Sequence, residues 1–116
     1  MTHNHYYVKN EILEYKQSLK ENLLMKVNNY FDDQVLSLSF DNSNGMGSVG
    51  VMEPGNYEFS TSKNERMMVI SGALVVQRQD DPEPLLYSDG EEFHVQSNQT
   101  FNVEVSEPTA YLCEYS

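Results

Sequence analysis

From Tyr30 onward apolar side chains come in short stretches, several at every second position, as in Phe101-Asn102-Val103-Glu104-Val105. A period of two belongs to a strand with one buried face. The stretches predict strands over Val35–Phe40, Ser48–Met52, Tyr57–Thr61, Met67–Ser71, Ala73–Gln77, Leu85–Tyr87, Phe93–Val95, Phe101–Val105 and Tyr111–Tyr115. Asp41-Asn42-Ser43-Asn44-Gly45, Glu53-Pro54-Gly55-Asn56, Ser71-Gly72, Asp80-Asp81-Pro82, Ser88-Asp89-Gly90 and Glu107-Pro108 separate them, and all are turn formers. Short strands spaced about ten residues apart predict an all-β sandwich or barrel.

The residues before this point follow another period. Ile12, Tyr15, Leu19, Leu23 and Val27 recur at steps of three and four, the spacing of one helix face. With Asn10 as N-cap and Asn28-Asn29 as a stop, they predict an amphipathic helix over 11–27. Such a helix cannot bury its own stripe, so Leu19 and Leu23 must dock on the rest of the chain or on a second subunit. The chain thus divides into an N-terminal extension, 1–27, and a β domain, 28–116.

Charge divides the same way. The 116 residues hold 7 Lys plus Arg and 18 Asp plus Glu, a net charge of 7 − 18 = −11. The extension has four lysines against three glutamates, 4 − 3 = +1, leaving 3 − 15 = −12 for the domain. So acidic a surface repels phosphate backbones and argues against a nucleic-acid partner. The mixed polar face of the predicted helix suits packing better than membrane binding, and no apolar run is long enough to span a bilayer. MTHNHYYVKN has neither a basic start nor an apolar h-region, so no signal peptide is expected. The single cysteine, Cys113, cannot form an internal disulfide and fits a reducing cytoplasm.

Two segments go beyond pattern. Ser48–Thr61, with its VGVM and Thr61, leads into Met67-Met68-Val69-Ile70-Ser71-Gly72-Ala73-Leu74, and the chain closes on Glu107-Pro108-Thr109-Ala110-Tyr111-Leu112-Cys113. Together with Asn29-Tyr30-Phe31 these resemble, in order, the small cupin family of pyrimidine/purine nucleoside phosphorylases, over about residues 28–116. The resemblance implies a cupin-type double-stranded β-helix barrel, a homodimer, and phosphorolysis of purine and pyrimidine nucleosides to free base and ribose 1-phosphate, with broad base tolerance. It also implies differences. Relatives tend to carry an arginine where this chain has Met46, and histidines near Asn98 and Asn102.

Many cupins hold a metal with histidines and a glutamate from two motifs. Here the first motif region offers Thr61, Lys63 and Glu65 without a histidine, and Phe101 stands near the second ligand position, so neither a metal nor another cofactor is expected. His3-x-His5 is formally a metal pair at the start of the chain.

Phosphorolysis needs a phosphate holder, a group that stabilises an electron-poor ribose, and a setting for the departing base. Phosphate is itself the nucleophile, so no Ser-His-Asp pattern is required. Glu65 is the catalytic candidate, since the cupin pattern turns a carboxylate inward there; the alternative is a surface glutamate between Asn64 and Arg66. For phosphate the domain offers only Lys63, Arg66 and Arg78, of which the arginines have the better geometry, although either can instead be paired with a carboxylate. Thr61 and Ser71 add hydroxyls, Asn98 a contact to a base edge, and Tyr111 a ring to stack on a base or to fill the interior. Two non-enzymatic readings compete: a metal-free cupin that binds a small ligand without turnover, and a structural dimer.

Overall fold

The computed structural model of the protein describes residues 26–116. They form ten strands: β1 Val27–Tyr30, β2 Val35–Asn42, β3 Gly45–Met52, β4 Gly55–Ser60, β5 Glu65–Ser71, β6 Ala73–Gln77, β7 Leu85–Ser88, β8 Glu92–Val95, β9 Thr100–Val105 and β10 Thr109–Tyr115. The described residues contain no helix, so the all-β expectation holds for them. All nine strands expected from the pattern are present, with ends moved by a few residues.

The strands make two antiparallel sheets. One has the order β1-β2-β3-β10-β5-β8 and the other β4-β9-β6-β7. They face each other across one core, to which the first sheet gives Val35, Met52, Met67, Val69, Phe93, Val95, Tyr111 and Cys113, and the second Tyr57, Leu74, Val76, Phe101, Val103 and Val105. The period of two decides these sides: in β9, Phe101, Val103 and Val105 are buried while Thr100, Asn102 and Glu104 are exposed.

The sheets are not closed into a barrel, which corrects the closed architecture expected above. Outer strands β1 and β8 of one sheet hydrogen-bond to neither β4 nor β7 of the other. Two separate ladders joined by side-chain packing make a sandwich, with ends open to solvent.

Two local features set up that geometry. Gly72 alone separates β5 in one sheet from β6 in the other. Its φ of +117° and the Thr109 side chain beside it leave no room for a Cβ, and its N–H donates to Asp89 at 2.7 Å. Two residues earlier the β5–β10 ladder shifts register, leaving Ile70 between Val69, opposite Tyr111, and Ser71, opposite Ala110.

The start of the domain departs from expectation. Val27, expected to end a helix, and Asn28-Asn29, expected to stop it, lie in β1 and pair with β2. Asn28 donates to Ser37 at 3.1 Å and to Ser39 at 2.9 Å, contacts to residues far along the chain that a local helical period cannot show. The rest of the expected helix, with Leu19 and Leu23, lies outside the described residues, as do His3 and His5.

Candidate active site

Between the two sheets lies a cavity of about 220 Å³ with mixed walls. Phe31, Phe59 and Phe101 form an aromatic side, Tyr30, Tyr111 and Tyr115 add phenols, and Glu65 and Cys113 face it from β5 and β10. A second, polar cleft of about 580 Å³ is lined by Asn64, Arg66, His94, Ser97 and Glu114. Glu65 and Tyr115 line both spaces and form the wall between them.

Alternation along β5 builds that wall. Glu65, Met67 and Val69 face inward, and Arg66, in register with His94 of β8 and Glu114 of β10, turns outward. Glu65 is half-buried, and the Cys113 thiol donates to its Oε1 at 3.5 Å. Burial pushes the Glu65 carboxyl above the usual range, and the thiol contact offsets this in part. Burial, with the nearby Glu65 charge, pushes the Cys113 thiol up, so Cys113 stays a neutral core residue rather than a nucleophile. Tyr115 shares a 3.0 Å hydrogen bond with Ser48, and burial raises its phenol. Burial pushes Tyr111 up to about 12, and the Ser37 hydroxyl offsets this in part. A methyl group at residue 50 would stand 2.8 Å from the Tyr111 hydroxyl and 2.5 Å from the Leu36 carbonyl oxygen, which is why the facing strand carries Gly50.

The β1–β2 turn closes one side of the cavity. Phe31, Asp32 and Asp33 have φ of 54°, 55° and 66°, left-handed values uncommon for residues with side chains. Asn29 donates to Asp33 at 2.8 Å across the turn. The Phe31 ring rests 4.9 Å from Tyr57 and 5.5 Å from Phe59, centroid to centroid. Phe59 stacks on Phe101 at 5.6 Å, and Phe93 follows at 6.2 Å.

The sequence candidates separate into three groups. Glu65 and Tyr111 meet in the cavity. Arg66 borders the cleft, with ion pairs to Glu92 at 2.7 Å and Glu114 at 2.8 Å, so the carboxylate pairing considered for it exists. Thr61, Arg78, Ser71 and Asn98 line neither space. Buried Thr61 donates to the Gln96 carbonyl at 2.7 Å and accepts from the Gln99 N–H at 3.1 Å, while the Asn98 N–H donates to the Thr61 carbonyl. Asn98 is an exposed turn residue with φ +59°, and Ser71 is exposed at the end of β5. Arg78 sits at the far end of the aromatic row, 6.0 Å over Phe93. Its guanidinium bonds to Asp81 at 2.9 Å, the His94 carbonyl at 2.9 Å and the Tyr87 hydroxyl at 3.1 Å. Among the described residues no three His, Cys, Asp or Glu side chains gather as a metal site would need.

Sequence reasoning did not single out Tyr30, Phe31, Ser37, Ser48, Phe59 or Tyr115 as wall residues. The available signal was phase: Ser37 and Ser48 are polar residues at inward positions of strands, where a packed core has no use for a hydroxyl.

Comparison with known proteins gives this cavity a context. The chain is 48% identical over 92 residues to the pyrimidine/purine nucleoside phosphorylase of Aliivibrio fischeri, a match covering 79% of this chain and 99% of that protein. The protein of the same name from Rhodopirellula baltica is also 48% identical over 92 residues, covering 79% of this chain and all of that protein. A crystal structure of a protein of unknown function from Vibrio parahaemolyticus superposes with a TM-score of 0.76 at 48% identity, covering 79% of this chain and 98% of that one. The family model described as pyrimidine/purine nucleoside phosphorylase matches residues 25–115, which takes in all ten strands. The chain belongs to the pyrimidine/purine nucleoside phosphorylase family.

Proposed function

We propose that the protein splits purine and pyrimidine nucleosides with inorganic phosphate, giving free base and ribose 1-phosphate, with the ribose held at Glu65 between the cavity and the cleft. The carrying observation is that one inward carboxylate forms the wall between an aromatic cavity and a polar cleft, in a chain of this family. At about 220 Å³ the cavity is below the roughly 300–1,000 Å³ of sites for drug-sized ligands, a size suited to a base rather than a whole nucleoside. The base then stacks among Phe31, Phe59, Phe101 and Tyr111, and phosphate waits in the cleft beside Arg66, Asn64 and Ser97.

In this reading a phosphate oxygen forms a bond to C1′ as the C1′–N bond breaks. The bonding pair leaves on the base nitrogen, which takes a proton. Positive charge develops on the ribose in between, and an ionised Glu65 in a water-poor wall stabilises it more than water does. Because burial raises the Glu65 carboxyl, turnover rises with pH through that elevated value as the carboxylate forms. Arg66, rather than Arg78, supplies the phosphate contact, because Arg66 borders the cleft, where phosphate competes with Glu92 and Glu114 for its guanidinium, whereas Arg78 lines neither space. The same reading takes the two sheets as a cupin-type double-stranded β-helix, residues 28–116 as the catalytic domain with 1–27 appended to it, and the working form as a cytoplasmic homodimer that covers exposed strand edges.

The test is phosphate-dependent release of base from uridine and inosine. Glu65→Gln should lose most turnover and its acidic pH limb, and the outward-facing Glu104→Gln should keep both. Equal turnover in Glu65→Gln and the parent removes Glu65 from the reaction, and release of a nucleoside-induced thermal shift without any base released favours a binding protein.

A further inference from the structure

The outer face of the six-stranded sheet is apolar across four adjacent strands. Leu38, Val49, Leu112 and Met68 are successive cross-strand neighbours on β2, β3, β10 and β5, and Leu36, Val51 and Ala110 make the next row. Leu36, Leu38, Val49, Val51 and Ile70 are between 38% and 46% exposed, and Val27 at the sheet edge is 45% exposed. With Ser37, Gly50 and Ala110 they line a groove of about 410 Å³ that has no charged wall residue. In a domain with fifteen acids this uncharged groove is a contact surface rather than scattered apolar exposure.

We propose that residues 1–25 of the same chain cover this face, seating Leu19 and Leu23 on the rows formed by Leu36, Leu38, Val49 and Val51. Two observations select this occupant. Val27 lines the groove at the start of β1, and the stripe Ile12, Tyr15, Leu19 and Leu23 ends four residues before it, so the chain delivers the stripe to the edge of the groove. A helix over 11–25 would be about 22 Å long at 1.5 Å per residue, and β1 to β5 span four strand spacings, about 19 Å. This inference does not depend on the phosphorolysis reading.

The chain contains no tryptophan, so Leu23→Trp in the full chain is a single reporter. The expected emission is blue-shifted, as for a ring removed from water. Adding Val49→Asp, at an exposed position that leaves the core untouched, should return it to solvent-like emission with the strand circular dichroism unchanged. When the doubly substituted chain is mixed with a large excess of the parent chain, which is dark at tryptophan excitation, emission should stay solvent-like, because each segment meets only its own face. Solvent-like emission in Leu23→Trp alone, or blue emission that ignores Val49→Asp, overturns the proposal. Recovery of blue emission in the mixture also overturns it, by assigning the face to the segment of a second copy.

Discussion

Replacing Arg78 by methionine separates a structural arginine from a phosphate-binding one. Methionine keeps an aliphatic stem but deletes the guanidinium that lies over Phe93, with its bonds to Asp81, the His94 carbonyl and Tyr87. Asp81, whose side chain is 12% exposed, keeps only the backbone N–H of residue 78 at 2.9 Å. Hydrogen bonds to charged groups are worth about 1.5–3 kcal/mol, and breaking a fully buried pair costs about 3–5 kcal/mol. Arg78 is 24% exposed, so water recovers part of this and a loss of about 2–3 kcal/mol is expected. At about 4–8 °C per kcal/mol for a small domain, Tm falls on the order of 10–20 °C. The pH dependence supplies a second signature. The hydrogen bond from Arg78 holds the Asp81 carboxyl below its ordinary range, so its contribution is present above the ordinary aspartate pKa and is lost as pH falls through the depressed folded value. The gap between parent and Arg78→Met should therefore be widest near neutrality and narrow on acidification. Urea unfolding at several pH values, followed by circular dichroism, measures it, and phosphate KM is read on the folded protein. An unchanged unfolding midpoint with a raised phosphate KM would refute this placement of Arg78.

Other substitutions probe other parts of the account. Glu65→Gln should cut kcat by about a hundredfold or more and yet raise Tm near neutral pH. The raised carboxyl of Glu65 favours the fold fully below the ordinary glutamate pKa and loses that benefit as pH rises through its folded value, so calorimetry should find parent and variant alike in acid and the variant more stable at neutrality. Arg66→Met should raise phosphate KM about tenfold or more with little change in nucleoside KM; equal changes in both would point to a general loss of structure. Thr61→Val leaves the Gln96 carbonyl and Gln99 N–H without their partner and should cost about 1–3 kcal/mol in urea unfolding, with activity per folded molecule retained. Gly50→Ala should cost about 1–3 kcal/mol by overpacking and, by displacing Tyr111, raise nucleoside KM more than phosphate KM.

Strand positions were legible because burial repeats every second residue, and β9 and β10 follow that rule nearly without exception. The first strand was not, because Val27-Asn28-Asn29-Tyr30 has no alternation of its own and is held by the hydroxyls of Ser37 and Ser39. The inward position of Glu65, expected from the family pattern, follows from Met67 and Val69 sharing its phase on β5. The different placement of the two arginines was not legible. Arg66 and Arg78 look alike as letters, and only the fold brings Tyr87 and the His94 carbonyl to the second of them. The turn at Phe31-Asp32-Asp33 was equally hidden, because left-handed backbone at three side-chain-bearing residues runs against local preference and persists through Asn29 and the Phe31 ring contacts.

The most direct measurement of the central claim is the product balance when the purified protein is given uridine or inosine with and without inorganic phosphate. Free base and ribose 1-phosphate should appear in a one-to-one ratio, at the rate phosphate disappears, with almost no base formed when phosphate is omitted and the rate collapsing in Glu65→Gln. Base released equally without phosphate, or no base released by a folded protein with either nucleoside, would contradict it.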